Sequence, residues 1–323
     1  MRAFSMILSL LGLSALALSN GSALAQSRIT VYSAGPANLI EALAKGFKAQ
    51  SGIEVGVFQG TTGQVMARVE TEAANPMVDV LISASWDTAT DFARRDRLVA
   101  YTSPNAAQVP ASLKTETAVA QGVSALGIVW NSKSETPRPS EWADLTKPEY
   151  RGLVTTPDPA QSGASFELIA ALRAKHGNWA LFQALSANGA IVAGANAQAL
   201  NPVLQGAKAA VFGAVDYISL AQKADGETID VIFPASGTVA APRPMMILKW
   251  SRHIEEAKKF IDYVLSPEGQ AEVAKVYLMP ARSDIKANRP LVKDLNLLTL
   301  DTQQVYAQRR EILGEFAAAM ARK

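Results

Sequence analysis

The sequence predicts an α/β protein of two lobes, each a mostly parallel sheet with helices on both faces. Short apolar segments alternate with amphipathic helical segments along the chain, which is the pattern of βαβ units. Several apolar segments lack a polar face, as expected for strands that are covered on both sides. The 323 residues are too many for one small core and suit two units of about 100–200 residues.

The first 25 residues have the features of a secretory leader. Arg2 precedes an apolar run over residues 4–18, and residues 23–25 form an A-x-A site before Gln26. This run of about 15 residues is shorter than the roughly 20 that span a bilayer. We expect cleavage after Ala25 and release into the bacterial periplasm. Because the sequence has no cysteine, we expect neither a lipoprotein nor a disulfide or thiolate–metal site.

The charge pattern argues against a nucleic-acid partner. The formal net charge is only +2, whereas a phosphate-binding face needs clustered cations. The one evident cluster, Arg94, Arg95 and Arg97, is interspersed with Asp91 and Asp96 and is typical of a solvated helix end.

The first lobe begins with alternating strands and helices. Residues 29–33 are rich in β-branched side chains and predict a strand, and the i, i+4, i+8 spacing of apolar residues over 38–50 predicts a helix. Alternation over 53–57 predicts a second strand, and the apolar run 78–82 predicts a third. Between them, the stripe of Val65, Met66 and Val69 predicts another helix.

An extended segment over 123–130 predicts the crossing into the second lobe, where the alternation resumes. The return crossing is placed at Gly237 and Thr238. The helices that follow, including one from Asp301 and Thr302, are expected to close the first lobe. The expected division is a leader at 1–25, a discontinuous first lobe at 26–122 plus 240–323, and a second lobe at 123–239.

The sequence lacks the motifs of common enzyme classes. H-E-x-x-H, G-x-S-x-G and G-x-x-x-x-G-K-[ST] are all absent. His176 and His253 lie near predicted helix ends, where a structural role is ordinary, and Glu70 and Glu72 point to different faces of a helix. We expect a protein with no cofactor and no catalytic residue, with an exported enzyme of another chemistry as an alternative.

Small hydroxyl residues and glycines recur where a predicted strand ends and a helix begins. Helix N-termini leave unpaired N–H groups and a positive dipole end, and small residues let an anion approach that backbone. Each such loop is also an ordinary N-cap. Ligands of α/β sheets bind at the carboxyl ends of the strands, so loops of two facing lobes would line one cleft. The predicted binding residues are Ser33, Gly35, Thr61, Thr62, Ser83, Ser85, Ser162, Gly163, Ser165 and Asn196.

Several segments of the chain resemble one known family. These segments lie at residues 29–33, 47–53, 67–80, 142–145, 266–270 and 279–284. They resemble the extracellular solute-binding proteins of bacterial ABC importers, in the branch that binds ferric iron, 2-aminoethylphosphonate, sugar phosphates or polyamines. The resemblance implies a type II periplasmic binding protein fold with a two-strand hinge. It implies a small solute and an inner-membrane permease with its cytoplasmic ATPase as partners, and we expect a monomer.

Three ligand classes remain open. A small anion such as a phosphonate or phosphate ester is favoured by the donor-rich, histidine-poor loops and by the match around Asn75 and Pro76.

The chain resembles the ferric branch at Asp216 and Tyr217. We therefore add both residues to the predicted site, and in a ferric protein Tyr217 would be a metal ligand. However, Ile218 stands where that branch has a second tyrosine, and Fe(III) prefers hard anionic oxygens. A polyamine would need carboxylates and aromatic rings, of which the loops offer mainly Asp87, Asp216 and Trp86.

Overall fold

The computed structural model describes residues 27–321, so the predicted leader lies outside the described residues. Within this range the chain forms ten strands, eleven α-helices and five short 3₁₀ helices. The strands are β1 (Arg28–Ser33), β2 (Glu54–Gln59), β3 (Val80–Ile82), β4 (Val119–Asn131), β5 (Val154–Thr156), β6 (Ile191–Val192), β7 (Ala210–Val215), β8 (Ile229–Ile232), β9 (Ala240–Ile247) and β10 (Met279–Pro280). The helices are α1 (Ala37–Ser51), α2 (Thr62–Thr71), α3 (Trp86–Arg94), α4 (Gly163–His176), α5 (Ala180–Ala187), α6 (Asn196–Leu204), α7 (Asp216–Ala224), α8 (Ile254–Val264), α9 (Pro267–Lys275), α10 (Thr302–Ala307) and α11 (Arg309–Met320).

The first sheet is built around β1, which lies between β2 and β3 and runs parallel to both. Ser33, Gln59 and Ile82 therefore end side by side at one edge. β9 pairs antiparallel with β3, and β4 pairs antiparallel with β9 and β10. The helices that follow β1, β2 and β3 consequently all start at this edge.

The second sheet repeats this arrangement on a smaller scale. β5 runs parallel to both β6 and β7, and β4 pairs antiparallel with β7 and β8. The helices α4, α6 and α7 follow β5, β6 and β7 along the chain. Their N-termini therefore gather at the carboxyl ends of these strands, as they do in the first sheet.

Strand β4 joins the two sheets. Its residues up to Ala125 pair with β9, its residues from Leu126 onward pair with β7 and β8, and the whole strand is buried. The returning chain runs beside it, because Thr238 donates its hydroxyl proton to the Leu126 carbonyl oxygen. The predicted strand 123–130 is thus longer in the structure and begins at Val119, since the preceding residues also pair with β9.

Helix α4 is the most deeply buried helix among the described residues. Its first ten residues, up to Leu172, are all buried because it lies against β4 and β7 on one side and α11 on another. Ser162 caps its start by accepting the Ser165 N–H at 3.2 Å, and Gly177 ends it with a φ of 67°.

The chain after residue 300 contacts both halves of the molecule. The helix predicted from Asp301 and Thr302 is two helices, α10 and α11, which meet at Gln308. α10 packs against α3, whereas α11 packs against α4 and α5. Phe316 of α11 lies 5.5 Å from Phe182, centroid to centroid. The segment expected to close the first lobe therefore ends on the helices of the second sheet.

A buried ion pair supports the crossing between the sheets. Asp216, at the start of α7, pairs with Arg289, and both side chains are almost fully buried. The same carboxylate accepts the N–H of Ala125 at 2.9 Å, where β4 passes from one sheet to the other, and the N–H of Tyr217 at 2.7 Å. This pair ties α7 to the crossing strand.

Removing one member of this pair is expected to destabilise the protein strongly. Asp216→Ala leaves the Arg289 guanidinium buried without a counterion, which costs about 3–5 kcal/mol of unfolding free energy. Urea denaturation measures this loss. Glu272→Ala is the control, because its ion pair with Lys275 is largely exposed and should contribute less than about 1 kcal/mol. Equal stabilities of the two variants would contradict the structural role of Asp216.

Candidate functional site

A cavity of about 460 Å³ lies between the two sheets, at the carboxyl ends of their strands. This volume is within the range of small-molecule sites. Loops from both halves and strand β9 contribute to its wall. The polar residues that line it are Asn38, Gln59, Thr61, Thr62, Gln161, Ser162, Asn196, Tyr217 and Arg243.

Arg243, on β9, is the one charged residue of this lining, all of which the structure describes. Its side chain is 1 % exposed, and it donates from Nη2 to the Ala34 carbonyl oxygen. Its Nε has no hydrogen-bond partner, and no described carboxylate forms an ion pair with it. Burial lowers the pKa of Arg243, but a guanidinium stays charged in proteins. A buried cation without a counterion is unfavourable, so this cavity is suited to an anion.

Ser33 supplies a second unpartnered polar atom beside Arg243. Its hydroxyl oxygen is buried and has no hydrogen-bond partner. A Cβ added at Gly35 would lie 3.1 Å from this oxygen and 3.4 Å from Nη2 of Arg243. The absence of a side chain at Gly35 therefore keeps open the space that the two donors flank.

Tyr217 lies under the guanidinium of Arg243, which is 5.9 Å from the ring centroid. Burial raises the pKa of Tyr217 above its usual value of 10, although Arg243 opposes the shift, so the phenol is protonated at neutral pH. The lining contains no carboxylate and no histidine. In the described part of the chain, no group of three or more acidic or histidine side chains is arranged to hold a metal ion. The donor set therefore lacks the hard anionic oxygens that Fe(III) prefers.

The structure brings half of the predicted site residues into the cavity wall. These six are Gly35, Thr61, Thr62, Ser162, Asn196 and Tyr217. The six that are buried outside the lining are Ser33, Ser83, Ser85, Gly163, Ser165 and Asp216.

Hydrogen bonds within the protein account for most of the residues outside the lining. Ser83 bonds to Thr88 at 2.8 Å, and the Ser165 hydroxyl donates to the Pro157 carbonyl oxygen at 3.3 Å. Asp216 faces Arg289 and the crossing strand instead of the cavity.

The two halves touch at the mouth of the cavity. The Gly163 N–H donates to the Thr62 hydroxyl at 3.3 Å, and the Gly63 N–H donates to the Gln161 carbonyl oxygen at 3.4 Å. A Cβ added at Gly63 would lie only 2.8 Å from the Ala160 carbonyl oxygen. Close approach of the halves therefore requires glycine at position 63, and the two halves are in contact in this structure.

Sequence reasoning missed the residue with the clearest chemistry, Arg243. The prediction considered the loops between strands and helices, whereas Arg243 lies within strand β9. A signal was present, since Arg243 is the one charged residue in the otherwise apolar run 239–248. Asn38, Gln59 and Gln161 were also missed, although each lies within a few residues of a predicted site residue.

Known proteins resemble this chain over most of its length. Residues 75–307 match the family model described as bacterial extracellular solute-binding protein. A putative 2-aminoethylphosphonate-binding periplasmic protein of Salmonella typhimurium is 27% identical over 292 residues, which are 84% of each chain.

Solved structures share the fold at lower identity. The periplasmic binding protein AfuA from Actinobacillus pleuropneumoniae, with fructose-6-phosphate bound, is 21% identical with a TM-score of 0.83, covering 91% of this chain and 99% of that one. Iron-bound HitA from Pseudomonas aeruginosa is 21% identical with a TM-score of 0.79, covering 91% and 100%. The predicted fold class is confirmed. The chain belongs to the bacterial extracellular solute-binding protein family and has its two-lobed type II periplasmic binding protein fold.

Proposed function

We propose that this protein is the periplasmic component of an ABC importer and captures a small anionic solute in the cavity between its lobes. The observation that carries this proposal is the buried guanidinium of Arg243, which forms no ion pair with any carboxylate of residues 27–321. The loaded protein would deliver the solute to an inner-membrane permease with its cytoplasmic ATPase. Among residues 27–321, no helix combines the length and apolar character of a membrane span. We also propose that the leader is cleaved after Ala25 and carries no lipid.

A phosphonate or phosphate ester fits the donors of the cavity. A guanidinium can bind two oxygens of such a group at once, and these charge-assisted bonds are stronger than bonds between neutral groups. The Ser33 hydroxyl lies beside the guanidinium, and threonine, serine and amide groups surround the remaining space. Two similar proteins support a phosphonate or phosphate ester. One is named as a putative 2-aminoethylphosphonate-binding protein, and the structure of AfuA has fructose-6-phosphate bound.

We further propose that the remainder of the solute is uncharged and forms hydrogen bonds. The amide groups that line the cavity belong to Asn38, Gln59, Gln161 and Asn196, and no lining residue is acidic. An ammonium group in this space would lie near Arg243 without a carboxylate to balance it. The same argument disfavours a polyamine, and the shortage of anionic oxygens disfavours ferric iron. We propose no catalytic role, since the relatives are binding proteins.

The proposed function includes closing of the lobes over the solute. We propose lobe boundaries between residues 122 and 123 and between 239 and 240, where the chain crosses the hinge. By its contacts with α4 and α5, we assign α11 to the second lobe. A solute that contacts both lobes stabilises the closed form by its difference in affinity for the two forms.

Replacing Arg243 should abolish binding without damaging the fold. Arg243→Met removes a buried charge that lacks a counterion, so the unfolding free energy of the ligand-free protein should stay equal or rise. The affinity for an anion should fall at least about 30-fold, because truncating a buried charged partner costs about 2–5 kcal/mol. A thermal-shift screen of small phosphonates and phosphate esters, followed by calorimetry, measures both effects.

Arg289→Met is the matched control for this test, because it removes the other buried arginine, which has a counterion. It should destabilise the fold strongly, since Asp216 then lies buried and unpaired. If no anion stabilises the wild type, or if Arg243→Met binds anions normally, the proposed function is wrong.

Gly63→Ala should weaken capture while leaving the fold intact. The new methyl group would meet the Ala160 carbonyl oxygen in the closed form, so the affinity for the solute should fall. Alanine is favoured over glycine within a helix by up to about 1 kcal/mol, so the unfolding free energy should not fall. Gly314→Ala in α11 is the control, because nothing lies within 4 Å of its added Cβ. An unchanged affinity in Gly63→Ala would contradict closing at this contact.

A further inference from the structure

A carboxyl group of one lobe caps a helix of the other. Glu167, on α4, is 2 % exposed, and its Oε1 lies 2.7 Å from the Ser85 hydroxyl and 2.7 Å from the Trp86 N–H. Ser85 and Trp86 begin α3, whose N-cap residue makes no capping bond with its own side chain. Glu167 therefore accepts the Trp86 N–H, which has no partner within α3, only while the lobes are in contact.

When Glu167 and Asp87 are both ionised, the contact has one proton fewer than its hydrogen bonds require. The Ser85 hydroxyl is within hydrogen-bond distance of Glu167 Oε1 and also of Asp87 Oδ1. A hydroxyl has one proton to donate, so it can satisfy only one of two carboxylates. Both contacts are hydrogen bonds only when one of the two acids carries a proton and donates it to Ser85.

Glu167 is the acid that holds this proton. Asp87 is balanced by Arg309, whose Nη1 is 2.5 Å from Oδ2 and whose guanidinium lies 4.1 Å from the Phe166 ring centroid. Glu167 has no ion-pair partner among the described residues, and burial raises its pKa to about 8. The charged groups near it are Asp87 of α3, Arg309 of α11 and Arg243 of β9. The strands β4 and β7 that pack on α4 carry no charged side chain.

We propose that closing of the two lobes takes up a proton at the cluster of Glu167, Ser85 and Asp87, so that solute capture is coupled to proton uptake. This inference rests on the closing motion of the proposed function. It also places Ser85, predicted as a ligand residue, in the contact that holds the lobes together. The cluster lies outside the lining of the cavity, so it acts on closure and not on the solute directly.

The sign of the pH dependence follows from the two forms. Burial raises the pKa of Glu167 in the closed form, although the hydrogen bonds from Ser85 and Trp86 oppose this shift. Separation of the lobes exposes the carboxyl group to water, and its pKa returns toward the usual value of 4.5. Between pH 4.5 and pH 8 the closed form then holds one proton more than the open form. This contribution to closure is fully present below pH 4.5 and is lost as the pH rises through about 8. The closed-to-open ratio should fall by up to about tenfold per pH unit within this window.

Spin labels can measure closure without any solute, because the chain contains no cysteine of its own. Glu41→Cys on α1 and Asn201→Cys on α6 place labels at exposed positions about one turn beyond the cavity residues Asn38 and Ala197. Electron–electron distance measurements on the ligand-free protein should show a larger closed population at pH 5.5 than at pH 9.0. In Glu167→Gln, whose neutral amide can still accept the Trp86 N–H, the closed population should not depend on pH.

Glu315→Gln is the matched control, because Glu315 also lies beside α4 but bonds to Arg173 and Trp179, away from the lobe contact. This variant should keep the wild-type pH dependence. If the closed population of the wild type does not change with pH, or if Glu167→Gln changes as the wild type does, the proposal is overturned. Neither of these results would bear on anion binding, which Arg243→Met tests separately.

Discussion

The burial of one guanidinium without an ion-pair partner among the described residues determines the chemistry of the cavity between the two sheets. Arg243 comes from β9, the strand that returns from the second lobe and pairs with both β3 and β4. It therefore lies at the junction of the two sheets, where the N-termini of helices from both lobes also gather. Its charge, the unpartnered Ser33 hydroxyl and the open space at Gly35 together form the region that we propose binds the anion. The unfavourable free energy of the unpaired cation is offset only when an anion enters.

Comparison of the two fully buried arginines separates structure from function. Arg289 has Asp216 as its counterion, and this pair fastens α7 to the crossing segment of β4. In the described part of the chain, Arg243 contacts the Ala34 carbonyl oxygen and the face of Tyr217 and forms no ion pair. An arginine side chain thus fastens the crossing between the two sheets where its charge is balanced, and we propose that it binds the solute where its charge is not balanced.

The sequence predicted the architecture well because strand and helix periodicity are local properties. The alternation of strands and helices and the capped start of α4 at Ser162 both follow from short-range patterns. The packing of the last helix could not be predicted from local patterns, because contacts of Phe316 with Phe182 on α5 fix the position of α11.

The residues that line the cavity were predictable only in part. Gly35, Thr62 and Asn196 were among the predicted residues because they occupy loops at strand ends. Tertiary contacts decide whether a polar residue such as Asp216 faces the cavity or a partner that is distant in sequence. No local sequence pattern predicts that Arg289 is the counterion of Asp216.

The charges of the lining lead us to propose that the cavity selects an anion whose remainder is uncharged. Calorimetric titration with 2-hydroxyethylphosphonate and with 2-aminoethylphosphonate tests it most directly, because the two molecules differ only in a hydroxyl and an ammonium group. We expect the hydroxyl compound to bind at least about tenfold more tightly, a difference of about 1.4 kcal/mol. Tighter binding of the amino compound would rule out this selectivity, because the described lining holds no carboxylate to receive an ammonium group.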